Sequence, residues 1–150
     1  MAQARAKVFA FACIDPRFLR ALETFVEKKF SLNPTEHDIK TDAGGVNRIC
    51  RGGPVSEWLL ENAELAYQKH DTRVFVLCNH MGCSYYKHTH NPANEEEEVE
   101  IYERDIQAAA TLLKSRLPDV EILGYIVRFK DGKKPKHIFR QVQLEFAAAP

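Results

Sequence analysis

The stretch Val8-Phe-Ala-Phe-Ala-Cys13-Ile-Asp15-Pro-Arg17 decides the fold, because a buried strand ends there in three polar or reactive side chains. It begins as a short apolar run rich in Val and Phe, which is typical of a strand buried on both faces of a parallel sheet. The proline removes a backbone donor and disfavours helical geometry at Asp15, so we predict that the strand ends here. Open α/β sheets bind ligands beyond the carboxyl ends of their strands, which makes Cys13, Asp15 and Arg17 candidate site residues.

Strand and helix patterns alternate along the rest of the chain, which favours an α/β fold. Apolar residues recur at helical spacing in three segments, which we predict to be helices: 18–30, 54–70 and 95–117. Apolar runs predict strands at 73–78 and 120–129, a weaker strand at 36–41 and an edge strand at 138–146. Residues 88–94 are predicted to be a polar loop. Since helices supply the crossovers that parallel pairing needs, we predict a mostly parallel central sheet flanked by helices in a single domain, 1–150.

The composition argues against several classes of partner. The 150 residues include 21 Lys and Arg and 21 Asp and Glu, so nothing in the net charge calls for nucleic acid or an anionic membrane surface. No apolar run approaches the length of a membrane span, and the N-terminus has no signal-peptide core, so we expect a cytoplasmic protein that binds no membrane. In such a chain, four cysteines indicate metal binding, catalysis or burial more often than disulfides. Cys78 is expected in the core, and Cys50 has no assigned role.

A second reactive cluster, Asn79-His80-Met-Gly-Cys83, follows the strand predicted at 73–78. If this strand is parallel to the first and adjacent to it, the cluster lies beside Cys13. Two thiolates and one imidazole suit zinc, and three protein ligands leave the fourth position open, as in catalytic zinc sites. Zinc in such a site can lower the pKa of a bound water to about 7. We therefore predict a zinc site at Cys13, His80 and Cys83.

Asp15 and Arg17 are predicted to act beside this metal. Asp15 could accept a hydrogen bond from the water on the metal, and Arg17 could hold that carboxylate ionised through a bidentate pair. Alternatively, Asp15 could itself bind the zinc and close the site, and the sequence allows both arrangements. The glycines of the turn Asp42-Ala-Gly44-Gly45 either line a substrate pocket or only form the turn.

These motifs resemble those of the β-class carbonic anhydrases. Segment 13–17 is similar to the family's Cys-x-Asp-x-Arg motif, and segment 80–83 is similar to its His-x-x-Cys motif. Segment 42–45 resembles the family's Asn-Ala-Gly turn beside the metal, and segment 123–132 resembles its late strand and turn. The resemblance covers most of the chain in family order and corresponds to a small, N-terminally short member.

The resemblance implies a β-carbonic-anhydrase-like fold and the reversible hydration of carbon dioxide to bicarbonate. It implies Zn2+ as the cofactor, with Asp15 and Arg17 as a catalytic dyad. Ala43, Gly44 and Gly45 would then lie beside the substrate. It also implies a homodimer or a higher homo-oligomer.

Two positions depart from the family pattern. Ser84 stands where the family has Gly after the second cysteine, and Asp42 stands where it has Asn. These departures leave two other functions open. One is hydrolysis of carbon disulfide or carbonyl sulfide on the same zinc site, and the other is a zinc-binding homologue without turnover. His88 and His90, in the polar segment that follows, are either proton shuttles or exposed histidines with no role.

Overall fold

The computed structural model of the chain describes residues 5–148. Within that range strands and helices alternate, as the sequence predicts. The strands are β1 (Val8–Cys13), β2 (His37–Asp42), β3 (Val74–His80), β4 (Glu121–Lys130) and β5 (Lys136–Val142). The helices are α1 (Pro16–Phe30), α2 (Asn47–Cys50), α3 (Gly53–Lys69), α4 (Ser84–His90) and α5 (Glu95–Arg116). None of the helices in the described part of the chain combines the length and the apolar character needed to cross a bilayer.

The strands form one sheet in the order β2-β1-β3-β4-β5. The first four strands in that order are parallel, and β5 pairs antiparallel with β4 at one edge. The prediction of a mostly parallel sheet is therefore confirmed. All six residues of β1 are buried, which agrees with its apolar sequence and its position inside the sheet.

The strand register brings the two reactive clusters together. β1 and β3 are direct neighbours, with Phe11 opposite Leu77, so their carboxyl ends meet at the same edge of the sheet. On the other side of β1, Cys13 pairs with Asp42 at the end of β2. The turn at 43–45 therefore begins directly beside Cys13.

Helices cover both faces of the sheet, and alternate residues of β1 contribute to two separate apolar cores. Phe9 and Phe11 pack in the larger core with α3 and α5, whereas Val8 and Ala10 pack in the smaller core under α1. This division explains why the β1 sequence is apolar at every position, since neither of its faces meets solvent.

The structure differs from the sequence predictions at several element boundaries, among them those of α4 and β5. The prediction of a loop at 88–94 is wrong for residues 88–90, which belong to the short helix α4. Only Tyr86 of that helix is buried, so its sequence carries no apolar periodicity that would reveal a helix. The edge strand predicted at 138–146 is observed as β5, which begins two residues earlier and ends at Val142.

Candidate metal centre

Three buried side chains converge where β1 and β3 end. Cys13 is the last residue of β1, His80 is the last residue of β3, and Cys83 is the residue that precedes α4. One ligand atom from each of them lies within 4.8 Å of the other two. The two sulfur atoms are 3.9 Å apart. The predicted ligand set is therefore brought together as the adjacency of the two strands requires.

The imidazole of His80 is oriented to leave one nitrogen free for a metal. Its Nδ1 lies 3.0 Å from the carbonyl oxygen of Met81, which can only accept, so Nδ1 carries the proton. Its Nε2 is buried and has no hydrogen-bond partner. The nearest carboxylate oxygen, Oδ2 of Asp15, is 3.8 Å away, which is too far for a hydrogen bond. The ring of Phe18 stacks on the imidazole at 4.2 Å and fixes its plane.

A zinc ion fits these donors. Tetrahedral zinc with bonds of about 2.3 Å to two sulfurs places those sulfurs about 3.8 Å apart. The observed separation of the Cys13 and Cys83 sulfurs is 3.9 Å. Thiolates with one imidazole are also the ligand types that zinc selects. An unpartnered buried nitrogen beside two such sulfurs is costly without a metal, and a bound metal would satisfy it.

The two thiols differ in acidity because they share one hydrogen bond. The contact with Cys83 lowers the pKa of Cys13, and the backbone N–H groups of Asp15 and Gly44 lower it further against the effect of burial. The same sulfur–sulfur contact, together with burial, raises the pKa of Cys83. Cys13 is therefore the thiolate of the pair, and a metal that binds both sulfurs displaces the proton of Cys83.

Asp15 and Arg17 form the pair that the sequence predicts. Nε and Nη2 of Arg17 lie 3.0 and 2.6 Å from the two carboxylate oxygens, and the backbone N–H of Arg17 donates to the same carboxylate at 3.0 Å. These hydrogen bonds lower the pKa of Asp15 to about 2. Asp15 also caps the N-terminus of α1, so its backbone position is fixed by the start of that helix. The result is an ionised carboxylate held at the edge of the ligand cluster.

A cavity of about 470 Å³ opens onto the ligand cluster. Its walls beyond the ligands and the Asp15–Arg17 pair include Ile14, Ala43, Gly44, Ser84 and Tyr85. Two of the three residues predicted to bind substrate, Ala43 and Gly44, therefore line this space. The walls are mostly apolar, which suits a small uncharged molecule.

Gly45, the third residue of that prediction, packs behind the cavity. A Cβ atom at this position would lie 2.9 Å from the backbone nitrogen of Cys13 and 3.0 Å from Oδ1 of Asn79. The N–H groups of the turn are also occupied. Those of Ala43 and Gly45 donate to Asp42, and that of Gly44 approaches the sulfur of Cys13. The turn therefore supports Cys13, and its residues Ala43 and Gly44 form part of the cavity wall.

Comparison with known proteins assigns the chain to a family. A family model described as "Putative carbonic anhydrase" matches residues 3–134. The chain belongs to this carbonic anhydrase family. Among curated protein sequences, none matches the chain.

Solved structures confirm the β-carbonic anhydrase fold. A carbonic anhydrase from Streptococcus mutans is 18% identical with a TM-score of 0.61, and the similarity covers 95% of this chain and 86% of that one. One of two tetrameric β-carbonic anhydrases from Sordaria macrospora is 14% identical with a TM-score of 0.57, covering 85% and 77%. A carbonic anhydrase from Glaciozyma antarctica is 16% identical with a TM-score of 0.55, covering 85% and 79%. At these identities the likeness is one of fold.

The residue that departs from the carbonic anhydrase turn, Asp42, is compensated in this chain. Its Oδ2 lies 3.6 Å from Nε of Arg48, and its Oδ1 accepts the N–H of Ala43 at 2.8 Å. The extra carboxylate is therefore paired with a cation beside the cavity. Sequence reasoning did not find this pair, because the two residues approach only through the fold of α2.

Tyr85, which was not among the residues predicted to bind substrate, is a wall residue of the cavity. Its ring covers Gly44 so closely that a Cβ atom at Gly44 would overlap the ring. Its hydroxyl accepts a hydrogen bond from Nη1 of Arg51 at 2.7 Å, and the guanidinium of Arg48 lies 5.5 Å from the ring centroid. Tyr85 is thus fixed between two arginines and the turn.

The remaining cysteines and histidines of interest do not belong to the group of converging ligand atoms. All four cysteines are free, and Cys78 is buried inside β3 as expected, where burial raises its pKa to about 12. Cys50 donates to the carbonyl oxygen of Asn47, and burial raises its pKa to about 11. His88 is exposed on α4, and His90 stacks on Tyr86. These positions do not line the cavity that opens onto the ligand cluster.

Proposed function

We propose that this protein is a zinc-dependent carbonic anhydrase that catalyses the reversible hydration of carbon dioxide to bicarbonate. The observation that carries the proposal is the buried Nε2 of His80, which lacks a hydrogen-bond partner and lies beside two cysteine sulfurs. Cys13, His80 and Cys83 would hold the ion. When bound, zinc acts as a Lewis acid that lowers the pKa of a coordinated water to about 7.

The position of Asp15 supports a site with an open fourth position. Asp15 does not belong to the group of ligand atoms within 4.8 Å of one another. Both of its carboxylate oxygens already accept hydrogen bonds from Arg17. A carboxylate that is held by a guanidinium in this way is more suited to accept a hydrogen bond than to leave its partner for a metal.

The acidity of Asp15 defines its proposed role. With its pKa lowered to about 2, the carboxylate stays ionised near neutral pH. It is therefore a weak base, and its contribution is to accept the hydrogen bond of the attacking water and turn the oxygen lone pair towards the substrate. Arg17 fixes the carboxylate for this task through its bidentate contact.

The cavity walls are proposed to bind carbon dioxide by contact. Ile14, Ala43 and Tyr85 supply apolar surface above the ligand cluster. Because the N–H groups of the turn already have partners, the substrate would be held without backbone hydrogen bonds from it. The guanidinium of Arg17 is largely exposed at the cavity edge, where it would attract bicarbonate in the reverse reaction.

A stopped-flow assay of carbon dioxide hydration tests the proposal on the purified chain, together with its zinc content. We expect hydration in the wild type, loss of zinc and activity in Cys83→Ser, and hydration slowed about tenfold to a hundredfold with retained zinc in Asp15→Asn. Undiminished activity in both variants would refute the mechanism. Sulfide release from carbon disulfide or carbonyl sulfide without hydration would instead select the other substrates.

The thiols and the exposed surface support two further parts of the proposal. The Cys13 and Cys83 sulfurs are close enough to form a disulfide in an oxidising environment, so we propose that the protein works in a reducing compartment such as the cytoplasm.

Helix α3 exposes Val55, Trp58 and Leu65 along its length. We propose that this surface is buried in a homodimer or a higher homo-oligomer, in line with the tetrameric relatives from Sordaria macrospora. Sedimentation equilibrium tests this, and a monomer at micromolar concentration would contradict it.

A further inference from the structure

Helix α5 carries three polar side chains on its buried face. Glu98, Tyr102 and Asp105 lie at successive helical turns, and each is at most 6% exposed. Burying a carboxylate is costly unless hydrogen-bond donors surround it, so each of these groups needs partners. Asp105 finds them in Asn47 and Tyr86. The partners of Glu98 and Tyr102 lie in the loop between the two metal ligands of segment 80–83.

Glu98 and Tyr102 hold two consecutive peptide groups of that loop. Oε1 of Glu98 accepts the N–H of Gly82 at 2.6 Å and the hydroxyl of Tyr102 at 2.6 Å. The Tyr102 oxygen in turn accepts the N–H of Cys83 at 3.4 Å. A single carboxylate therefore anchors Gly82 directly and Cys83 through the phenol.

The same N–H groups have few other ways to be satisfied. Cys83 precedes α4, whose first turn has no side-chain cap. Its N–H is buried against α5, away from solvent. The loop has one further backbone bond at its start, from the N–H of Met81 to the carbonyl oxygen of Val127 at 2.8 Å. The position of Cys83 therefore depends on α5, whereas His80 is set by the sheet.

We propose that Glu98 and Tyr102 are positioning residues for the metal centre. They fix the Gly82–Cys83 peptide so that the sulfur of Cys83 lies close enough to the sulfur of Cys13 and to the nitrogen of His80 for all three atoms to bind one metal ion. The proposal rests on the proposed zinc site. It assigns a role to one glutamate of an acidic run that otherwise reads as the first turn of a helix. Outer residues that orient ligands in this way are worth about tenfold to a hundredfold in metal affinity.

Competition with a chromophoric zinc chelator tests the proposal on the full chain. We expect Glu98→Ala to bind zinc about tenfold to a hundredfold more weakly than the wild type. Glu98→Gln keeps an oxygen acceptor for Gly82 and should stay within about threefold. Tyr102→Phe removes the partner of Cys83 and should fall between them. Ile106→Ala is the matched control, since Ile106 is buried on the same helix and packs against the strand position of Gly124.

Each zinc affinity is compared with that of a control variant whose zinc-free form shows an equal fall in melting temperature. Weaker binding in Glu98→Ala and Tyr102→Phe, with near-wild-type binding in Glu98→Gln and Ile106→Ala, supports the positioning role. Wild-type affinity in Glu98→Ala or Tyr102→Phe overturns it, as does an equal loss in Glu98→Gln and Glu98→Ala or in the Ile106→Ala control. Failure of the wild type to bind zinc would instead refute the proposed metal site. If Glu98→Ala does not fold, Tyr102→Phe and Glu98→Gln still decide between these outcomes.

Discussion

Gly45→Ala is expected to damage the metal centre through the backbone of Cys13. Gly45 has a φ of +54°, and an added Cβ would lie 2.9 Å from the Cys13 nitrogen and 3.1 Å from the carbonyl carbon of Ala12. Both atoms belong to the main chain of β1, whose last two residues pair with β2 and whose preceding residues, up to Phe11, pair on both sides, so the strand end has little room to move. The overlap must therefore displace either the turn or the strand end that carries the ligand.

The loss of stability in Gly45→Ala has a backbone part and a packing part, and Gly52→Ala is a control that has a backbone part alone. A non-glycine residue at positive φ costs about 1–2 kcal/mol, and the stiffer unfolded chain returns about 0.4–1 kcal/mol. Gly52→Ala introduces no overlap, since nothing lies within 4 Å of its Cβ position, and its φ of +71° with ψ of −175° is a backbone region that costs a non-glycine residue about 1–3 kcal/mol. Forced overlap in a packed interior adds about 1–3 kcal/mol. Gly45→Ala should therefore lower the free energy of unfolding by about 1–5 kcal/mol. Gly52→Ala strains the backbone without overlap and away from Cys13, so it is the control for zinc affinity.

Urea unfolding of the zinc-free variants measures their free energies of unfolding, and chelator competition measures their zinc affinities. We expect Gly45→Ala to lose zinc affinity and Gly52→Ala to keep it, because only the first displaces Cys13. Wild-type zinc affinity in Gly45→Ala, or an equal loss of zinc affinity in Gly52→Ala, would refute the argument that the turn is packed against the ligand strand.

Three further predictions follow from the same geometry. Asp15→Asn should bind zinc like the wild type and hydrate carbon dioxide about tenfold to a hundredfold more slowly, as stopped-flow assays of zinc-loaded protein will measure; wild-type turnover would contradict the role of the carboxylate. In zinc-free protein, the pairing of ionised Asp15 with Arg17 should stabilise the fold above about pH 4, and this stability should be lost as the pH falls towards 2, because the pKa of Asp15 is lowered from 3.8 to about 2. Urea titrations at several pH values should show the wild type losing stability relative to Asp15→Asn over that range. A constant difference between the two proteins would contradict the prediction. Gly44→Ala should be less destabilising in a Tyr85→Ala background than in the wild type, since the added Cβ overlaps the Tyr85 ring; additive unfolding free energies in the double-mutant cycle would contradict that contact.

The strands that carry the metal ligands could be predicted because they are apolar along their whole length. β1 and β3 are buried on both faces, so their sequences differ sharply from the polar residues that follow them. Parallel pairing of β1 and β3 as direct neighbours, which the prediction assumed and the structure shows, then places Cys13 beside His80. The Asp15–Arg17 pair is equally local, since the two residues are two positions apart at the start of α1.

The outer contacts of the site could not be predicted, because they depend on tertiary packing between residues far apart in sequence. Glu98 is the last of four consecutive glutamates, and only the approach of Gly82 distinguishes it from the others. Gly44 and Gly45 are neighbours with similar backbone conformations, yet one lines the cavity and the other packs on β1. Position alone in the sequence does not carry these differences.

Zinc-edge X-ray absorption spectroscopy of the purified chain tests the central claim most directly. We expect one zinc ion per chain with two sulfur ligands at about 2.3 Å and nitrogen or oxygen ligands at about 2.0–2.1 Å. The zinc content should fall in Cys83→Ser, which lacks one of these two sulfurs. A zinc environment without sulfur, or a chain that binds no zinc while its cysteines are reduced, would contradict the convergence of Cys13, His80 and Cys83 on one ion.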